Sequence, residues 1–171
     1  LEPYSDGLRD RIWWGAGSRP TAEWAAQMGM NMMSSTLVTE DAGVPFHVLQ
    51  AEQIRLYREA WQQAGHTFEP RVSVSRSIFP LMDDRDRAYF GVNRENRDQV
   101  GFIDGGKATF GRTYAEEPDK LVEQLAKDEA IQAADSLLLT IPNQLGVDYC
   151  AHVLESFAKH VAPGLGWTPS P

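Results

Sequence analysis

Cysteine is almost absent from this sequence: Cys150 is the only one in 171 residues. A single thiol excludes an internal disulfide, and it fits a reducing, cytoplasmic setting. Long apolar runs are missing as well. None approaches the roughly 20 residues that a membrane-spanning helix needs, and no basic stretch followed by an apolar one opens the chain as a secretory signal would. Positive charge is in short supply, with 16 Lys and Arg against 24 Asp and Glu and a formal net charge of −8. That balance argues against non-specific binding to nucleic acid or anionic membranes, both of which require a basic field. Internal repeats and low-complexity tracts are also lacking. An initiating methionine is missing too: the chain begins Leu1-Glu2-Pro3-Tyr4-Ser5-Asp6-Gly7, and the expectation is a piece of a larger protein. What is present in quantity is apolar side chain, at 42%, enough for one domain with a core.

Short apolar runs at Arg11–Ala16, Met30–Thr36, Val72–Leu81 and Ser136–Ile141 read as strands, each ending at polar or turn-forming residues. Helical patterns lie between them. Pro20 stands where a first-turn proline belongs, ahead of Ala22–Met28. In Phe46–Ala64 the residues Ile54, Tyr57, Trp61 and Ala64 fall three or four apart, with Gly65 placed to end the helix. Asp83 is a candidate cap for a helix through Tyr89, Pro118 opens another helix with Leu121, Val122 and Leu125 on one face, and Val147–Val161 forms the last. Strands alternating with helices predict an α/β fold with a parallel sheet. The glycine-rich, charged segment Gly91–Thr113 reads as a long loop, an insertion or a lid.

The stretch Trp13-Trp14-Gly15-Ala16-Gly17-Ser18-Arg19-Pro20-Thr21-Ala22 carries the clearest chemistry. A strand ends in Gly-Ala-Gly, and hydroxyls and an arginine then meet the start of a helix. Free N–H groups and the positive end of the helix dipole suit a phosphate there. Glycine lets the backbone approach a ligand, while Ser18, Thr21 and Arg19 add donors. The same residues also make an ordinary strand-to-helix turn with Ser18 as the N-cap.

The run Gly15-x-Gly17-Ser18-x-x-Thr21-x-Glu23-Trp24-Ala25-Ala26-Gln27, then Gly29 and a Met-rich strand, resembles the fifth strand and helix of the bacterial luciferase α chain and its flavin-dependent monooxygenase relatives. Val72–Asp84 is similar to the seventh strand of that family. Phe110-Gly111-Arg112-Thr113, followed by Glu117 and Pro118, is like its usual Gly-Thr-Pro-Glu-Glu helix start with residues inserted. Leu137–Leu145 and Val161-Ala162-Pro163-Gly164-Leu165 look like its eighth strand and terminal helix. The resemblance implies one domain over residues 1–171, the C-terminal half of a TIM (β/α)8 barrel. It also implies reduced FMN as cofactor, with the phosphate held by Ser18 and Thr21 beside the Gly17 backbone. The family's luciferases carry an acidic residue where Gly17 stands, so Arg19 is the candidate replacement contact, and the deazaflavin F420 is an alternative cofactor.

By the same resemblance the parent enzyme oxygenates a small organic substrate with O2. The partners implied are flavin, substrate, and either a second copy or the missing N-terminal half. No catalytic residue is identifiable, so the isolated chain is expected to be inactive. The rivals are a non-catalytic flavin-binding protein, an F420-dependent oxidoreductase of the same superfamily, and a half barrel with no ligand that serves only as an assembly or folding fragment. Ser34 and Ser35, with Thr36, end the second strand and either meet the flavin ring or shape the turn. Arg76, in mid-strand, needs an anion and is read first as half of a structural ion pair. The histidines His47, His66, His152 and His160 show no metal-ligand spacing, and His152 and His160 read as surface residues. Trp13, Trp14, Trp24 and Trp61 read as packing, and Asp83–Asp86 as a helix start favoured by the dipole. No metal is expected.

Overall fold

A computed structural model describes residues 4–40, 43–91 and 97–168. Strands and helices alternate along them: β1 (Trp13–Gly15), α1 (Arg19–Gln27), β2 (Asn31–Ser34), β3 (Leu37–Val38), α2 (Phe46–Ala64), β4 (Val72–Pro80) and α3 (Asp84–Phe90). They continue as β5 (Gln99–Ile103), β6 (Gly106–Phe110), β7 (Thr113–Glu116), α4 (Pro118–Leu125), α5 (Glu129–Ala133), β8 (Ser136–Leu139) and α6 (Val147–His160). No helix among the described residues is long and apolar enough to cross a membrane.

The main sheet has five strands, all paired in parallel, with β4 in the middle. Hydrogen bonding alternates along β4. Val72 and Arg76 carbonyls accept from Asp135 and Thr140 on the β8 side, while the Arg71 carbonyl and Leu81 N–H face β2 and β7. β2 therefore lines the first half of one β4 edge and β7 continues along the second. Side chains alternate too. Val72, Val74 and Ile78 are buried among helices, and Ser73, Ser75 and Ser77 point to the opposite face. Neither β1 nor β8 has a second strand partner among the described residues.

Two helices cover the first part of the sheet. α1 offers only small residues, Ala22, Ala25 and Ala26, which let α2 pack closely with Ile54, Tyr57 and Trp61 over Met32, Val72 and Val74. Burying each large apolar side chain contributes about 1.5–3 kcal/mol. α2 covers the span its periodicity predicts and stops at Gly65, whose φ of 71° is the left-handed geometry that glycine tolerates. Asp83 caps α3 in a reciprocal capping box with Asp86.

The segment 91–113 departs from the expectation of a long loop. Its described part holds an antiparallel hairpin, β5–β6, turned at Asp104 (φ 49°) and Gly105 (φ 80°). Two consecutive positive φ values mark the tight turn that Asp-Gly favours between twisted strands. β6 also pairs with β3, giving a three-stranded sheet in the order β3-β6-β5. Residues 92–96 of the segment lie outside the described residues. Strand limits shrink as well: Arg9–Arg11 form a 3-10 turn, so β1 starts at Trp13.

Candidate functional site

β1 and α1 place Gly17, Ser18, Arg19 and Thr21 together at the carboxyl end of the parallel sheet, where open α/β folds put ligands. Ser18 is extended (φ −149°, ψ 162°) and caps α1 by accepting the Thr21 N–H. Its Oγ lies 2.8 Å from the Thr21 hydroxyl, so the two hydroxyls form one polar tip at the helix start.

An anion already sits there. The Glu40 carboxylate accepts the Arg19 backbone N–H at 3.1 Å through one oxygen and the Arg19 Nε at 2.8 Å through the other. Helix starts favour negative charge for this reason. Glu40 is held from behind. Thr39 donates both its N–H and its hydroxyl to the Gly17 carbonyl, at 2.7 and 3.0 Å. The Thr109 hydroxyl of β6 donates to the Glu40 carbonyl at 2.7 Å. The turn is thus an N-cap whose Arg19 N–H and side chain hold the Glu40 carboxylate, and Ser18, Arg19 and Thr21 are donors of the kind that a phosphate takes. Nothing in the spacing of the sequence flagged Glu40, because it comes from a segment remote in sequence from Arg19.

Ser34 is the last residue of β2. It is fully buried, its hydroxyl donates to Gln53 Oε1 at 2.6 Å, and it accepts from Gln50 Nε2 at 2.7 Å. Ser35 is exposed at the end of β2, and its carbonyl accepts from Gln50 at 2.7 Å. The two glutamines belong to a buried polar chain that begins under the candidate cradle. Gln53 donates to the carbonyls of Ala16 and Ser18 at 3.0 and 3.1 Å. Gln50 Oε1 accepts from Arg76 at 2.7 Å.

Arg76 pairs with Asp128 through two parallel bonds of 2.8 Å each. Asp128 also takes the Tyr114 hydroxyl at 2.8 Å and caps α5 through the Ile131 N–H at 3.0 Å. Burial raises the Asp128 pKa, but the hydrogen bonds and charge of Arg76, with help from Ile131 and Tyr114, leave it below the ordinary carboxylate value. Burial, with the Asp128 charge beside it, holds the Tyr114 phenol above its ordinary range. The ion-pair reading of Arg76 is the one the structure adopts. The glutamines escaped notice because polar residues on the inner face of an otherwise apolar helix carry no signal without their partners.

A second cluster joins α3 to α6. Asp86 accepts from the Tyr149 hydroxyl, from His152 Nε2 at 3.0 and 3.1 Å, and from the Met82 N–H at 2.9 Å. Burial pushes Asp86 up, and bonds from Tyr149 and His152 more than offset it, so the carboxyl stays below its usual range. His152, read from sequence as a surface residue, is half-buried and bound to this carboxylate. Asp83, Asp86 and His152 bring ligand-type atoms within 4.8 Å of one another. The oxygens of Asp86 are already taken by these donors, which makes the cluster a structural joint.

No family model matches the chain, and no curated protein does either. Among solved structures it is similar to the monooxygenase RslO1 from Streptomyces bottropensis, with a TM-score of 0.57 and 15% identity. The match covers 88% of this chain and 46% of that one, so the chain spans less than half the length of this neighbour. A likeness at this identity establishes a shared fold.

Proposed function

We propose that this chain is the C-terminal half of a (β/α)8 barrel in a luciferase-like, flavin-dependent monooxygenase, and that it holds the phosphate of FMN. The observation carrying this reading is the carboxylate-holding turn at the start of α1. There Ser18 and Thr21 bring their hydroxyls together, and a carboxylate rests on the Arg19 N–H and side chain. Supporting it are the parallel β/α order, with β1 and β8 at the edges of the sheet among the described residues, and the fold shared with part of a monooxygenase. The rest of the barrel would cover those edges.

Ser18, Arg19, Thr21 and the Gly17 backbone would hold the phosphate. Bound reduced flavin would supply the oxygen-activating chemistry. The residues of this chain anchor and orient. Gln53 fixes the Ala16 and Ser18 carbonyls from below, so the cradle is built before any ligand arrives. Ser35, exposed at the neighbouring strand end, is a candidate contact for the flavin beyond its phosphate. No acid, base or nucleophile is assigned, and the isolated chain is expected to be catalytically silent.

Isothermal titration with FMN and, separately, riboflavin tests the reading. The phosphate cradle predicts saturable FMN binding at least about tenfold tighter than riboflavin, the margin of one charge-assisted anion contact or more. Equal affinities, or no FMN binding, would overturn it.

A further inference from the structure

Away from the cradle, a cleft of about 630 Å³ opens between the end of β4, α3 and the outer hairpin. That is within the size range of small-molecule sites, roughly 300–1,000 Å³. Four aromatic side chains from separate elements line it: Phe79 from β4, Tyr89 and Phe90 from α3, and Phe110 from β6. Gln99, Gly111, Arg112 and Thr113 complete the lining, so its surface is mixed and somewhat more polar than apolar. Phe79 and Phe90 lie face to face, their ring centroids 3.9 Å apart and their planes 2° from parallel. Tyr89 stays 49% exposed beside them. Thr113, exposed at the start of β7, gives the rim a hydroxyl.

The hairpin wall is fixed without a ligand. Asp98 accepts the Phe46 N–H at 2.7 Å with one oxygen and the Arg112 N–H at 3.0 Å with the other, stapling the hairpin base to the start of α2. Gly111 lies so close to Phe46 that a Cβ there would come within 2.6 Å of the ring. The Gly111 N–H also bonds the Thr36 carbonyl just beyond β2, at 2.9 Å. The strand that buttresses Glu40 through Thr109 therefore runs directly into this wall, about 10 Å further along at Arg112.

We infer that this cleft binds a planar aromatic ring, and that the ring belongs to the organic substrate. The aromatic side chains in this mixed lining favour an aromatic guest over an aliphatic one of equal size, because ring edges and faces carry complementary partial charges. The Arg112 and Thr113 side chains give a phenol-type hydroxyl polar neighbours. The role of substrate rests on the flavin-enzyme reading above; the ring preference does not.

The test is titration of the chain with 2-naphthol and with decahydro-2-naphthol, followed by backbone amide NMR shifts. The expected result is saturable 2-naphthol binding about fivefold tighter than its saturated analogue, with shifts centred on Gly111 and Thr113. Tyr89→Ala, at an exposed position, and Phe110→Leu should each weaken it about threefold or more. Trp24→Leu, an exposed aromatic on α1 outside the cleft, should leave it unchanged. Absence of saturable binding, equal affinity for the two alcohols, shifts centred elsewhere, or indifference to both cleft variants would overturn the inference. Because no flavin is present, a failure here is separate from a failure of FMN to bind.

Discussion

Replacing Asp128 with leucine should destabilise the chain by about 3–5 kcal/mol, the cost of leaving a buried charge without its partner. The structure explains why the value belongs in this range. Side-chain exposure is 2% for Arg76 and 1% for Asp128, so water does not reach the guanidinium once the carboxylate is gone. The Tyr114 hydroxyl and Ile131 N–H lose their acceptor in the same step, and each unsatisfied buried donor costs about 1–3 kcal/mol. Domains of this kind are stable by about 5–15 kcal/mol, so the variant should unfold at markedly lower urea. Asp128→Asn keeps the shape and one acceptor oxygen, and should fall between parent and Asp128→Leu. Arg76→Met combined with Asp128→Leu removes both charges and should recover most of the loss, because apolar replacement of a buried pair is often near neutral. Urea unfolding followed by tryptophan fluorescence gives all the values needed for the cycle. An Asp128→Leu variant within about 0.5 kcal/mol of the parent, the usual range for inert surface changes, would refute the reasoning.

Other outcomes follow from the same geometry. Glu40→Gln should tighten FMN binding by about fivefold, the worth of one charge at a helix start, since the phosphate no longer displaces a carboxylate. Its stability cost should stay under about 1 kcal/mol because the ion pair is partly exposed. Unchanged or weaker FMN affinity in a flavin-fluorescence titration would place the anion seat elsewhere. The depressed pKa values of Asp86 and Asp128 set the acid response. A carboxyl whose folded pKa lies below its unfolded value contributes stability that is complete above about pH 5 and lost as pH falls through about 4 and then the folded value. Urea midpoints measured from pH 7 to 3 should therefore hold and then drop. Asp86→Asn should lower the plateau and flatten the drop, and a parent midpoint independent of pH would contradict this.

Periodicity made much of the fold legible. The apolar spacing of α2 and the glycine after it mark that helix from end to end, and Asp83 marks the start of α3. The β5–β6 hairpin was hidden because its strands are mostly exposed and interrupted by glycine, although Asp104-Gly105 was a usable turn signal. Glycine count alone suggested a loop; the left-handed pair of turn residues argues the reverse.

At the candidate site the local half was readable, since Ser18, Arg19 and Thr21 are neighbours in sequence. The contacts of Glu40, Gln50, Gln53 and Asp128 were not. Each acts across tertiary packing, where one polar residue among many gains a role only from a distant partner. His152 was misread for that reason: its helical position gave no sign of the buried Asp86 on α3.

The central claim is that Gly17–Thr21 holds the FMN phosphate. The most direct test is an FMN titration of the intact chain beside Ser18→Ala/Thr21→Ala, with folding of both checked by circular dichroism. The account predicts saturable binding by the parent and a loss of at least about tenfold in the double variant, whose helix start keeps its N–H groups but loses both hydroxyls. Equal binding by a folded double variant, or no binding by the parent, would contradict it.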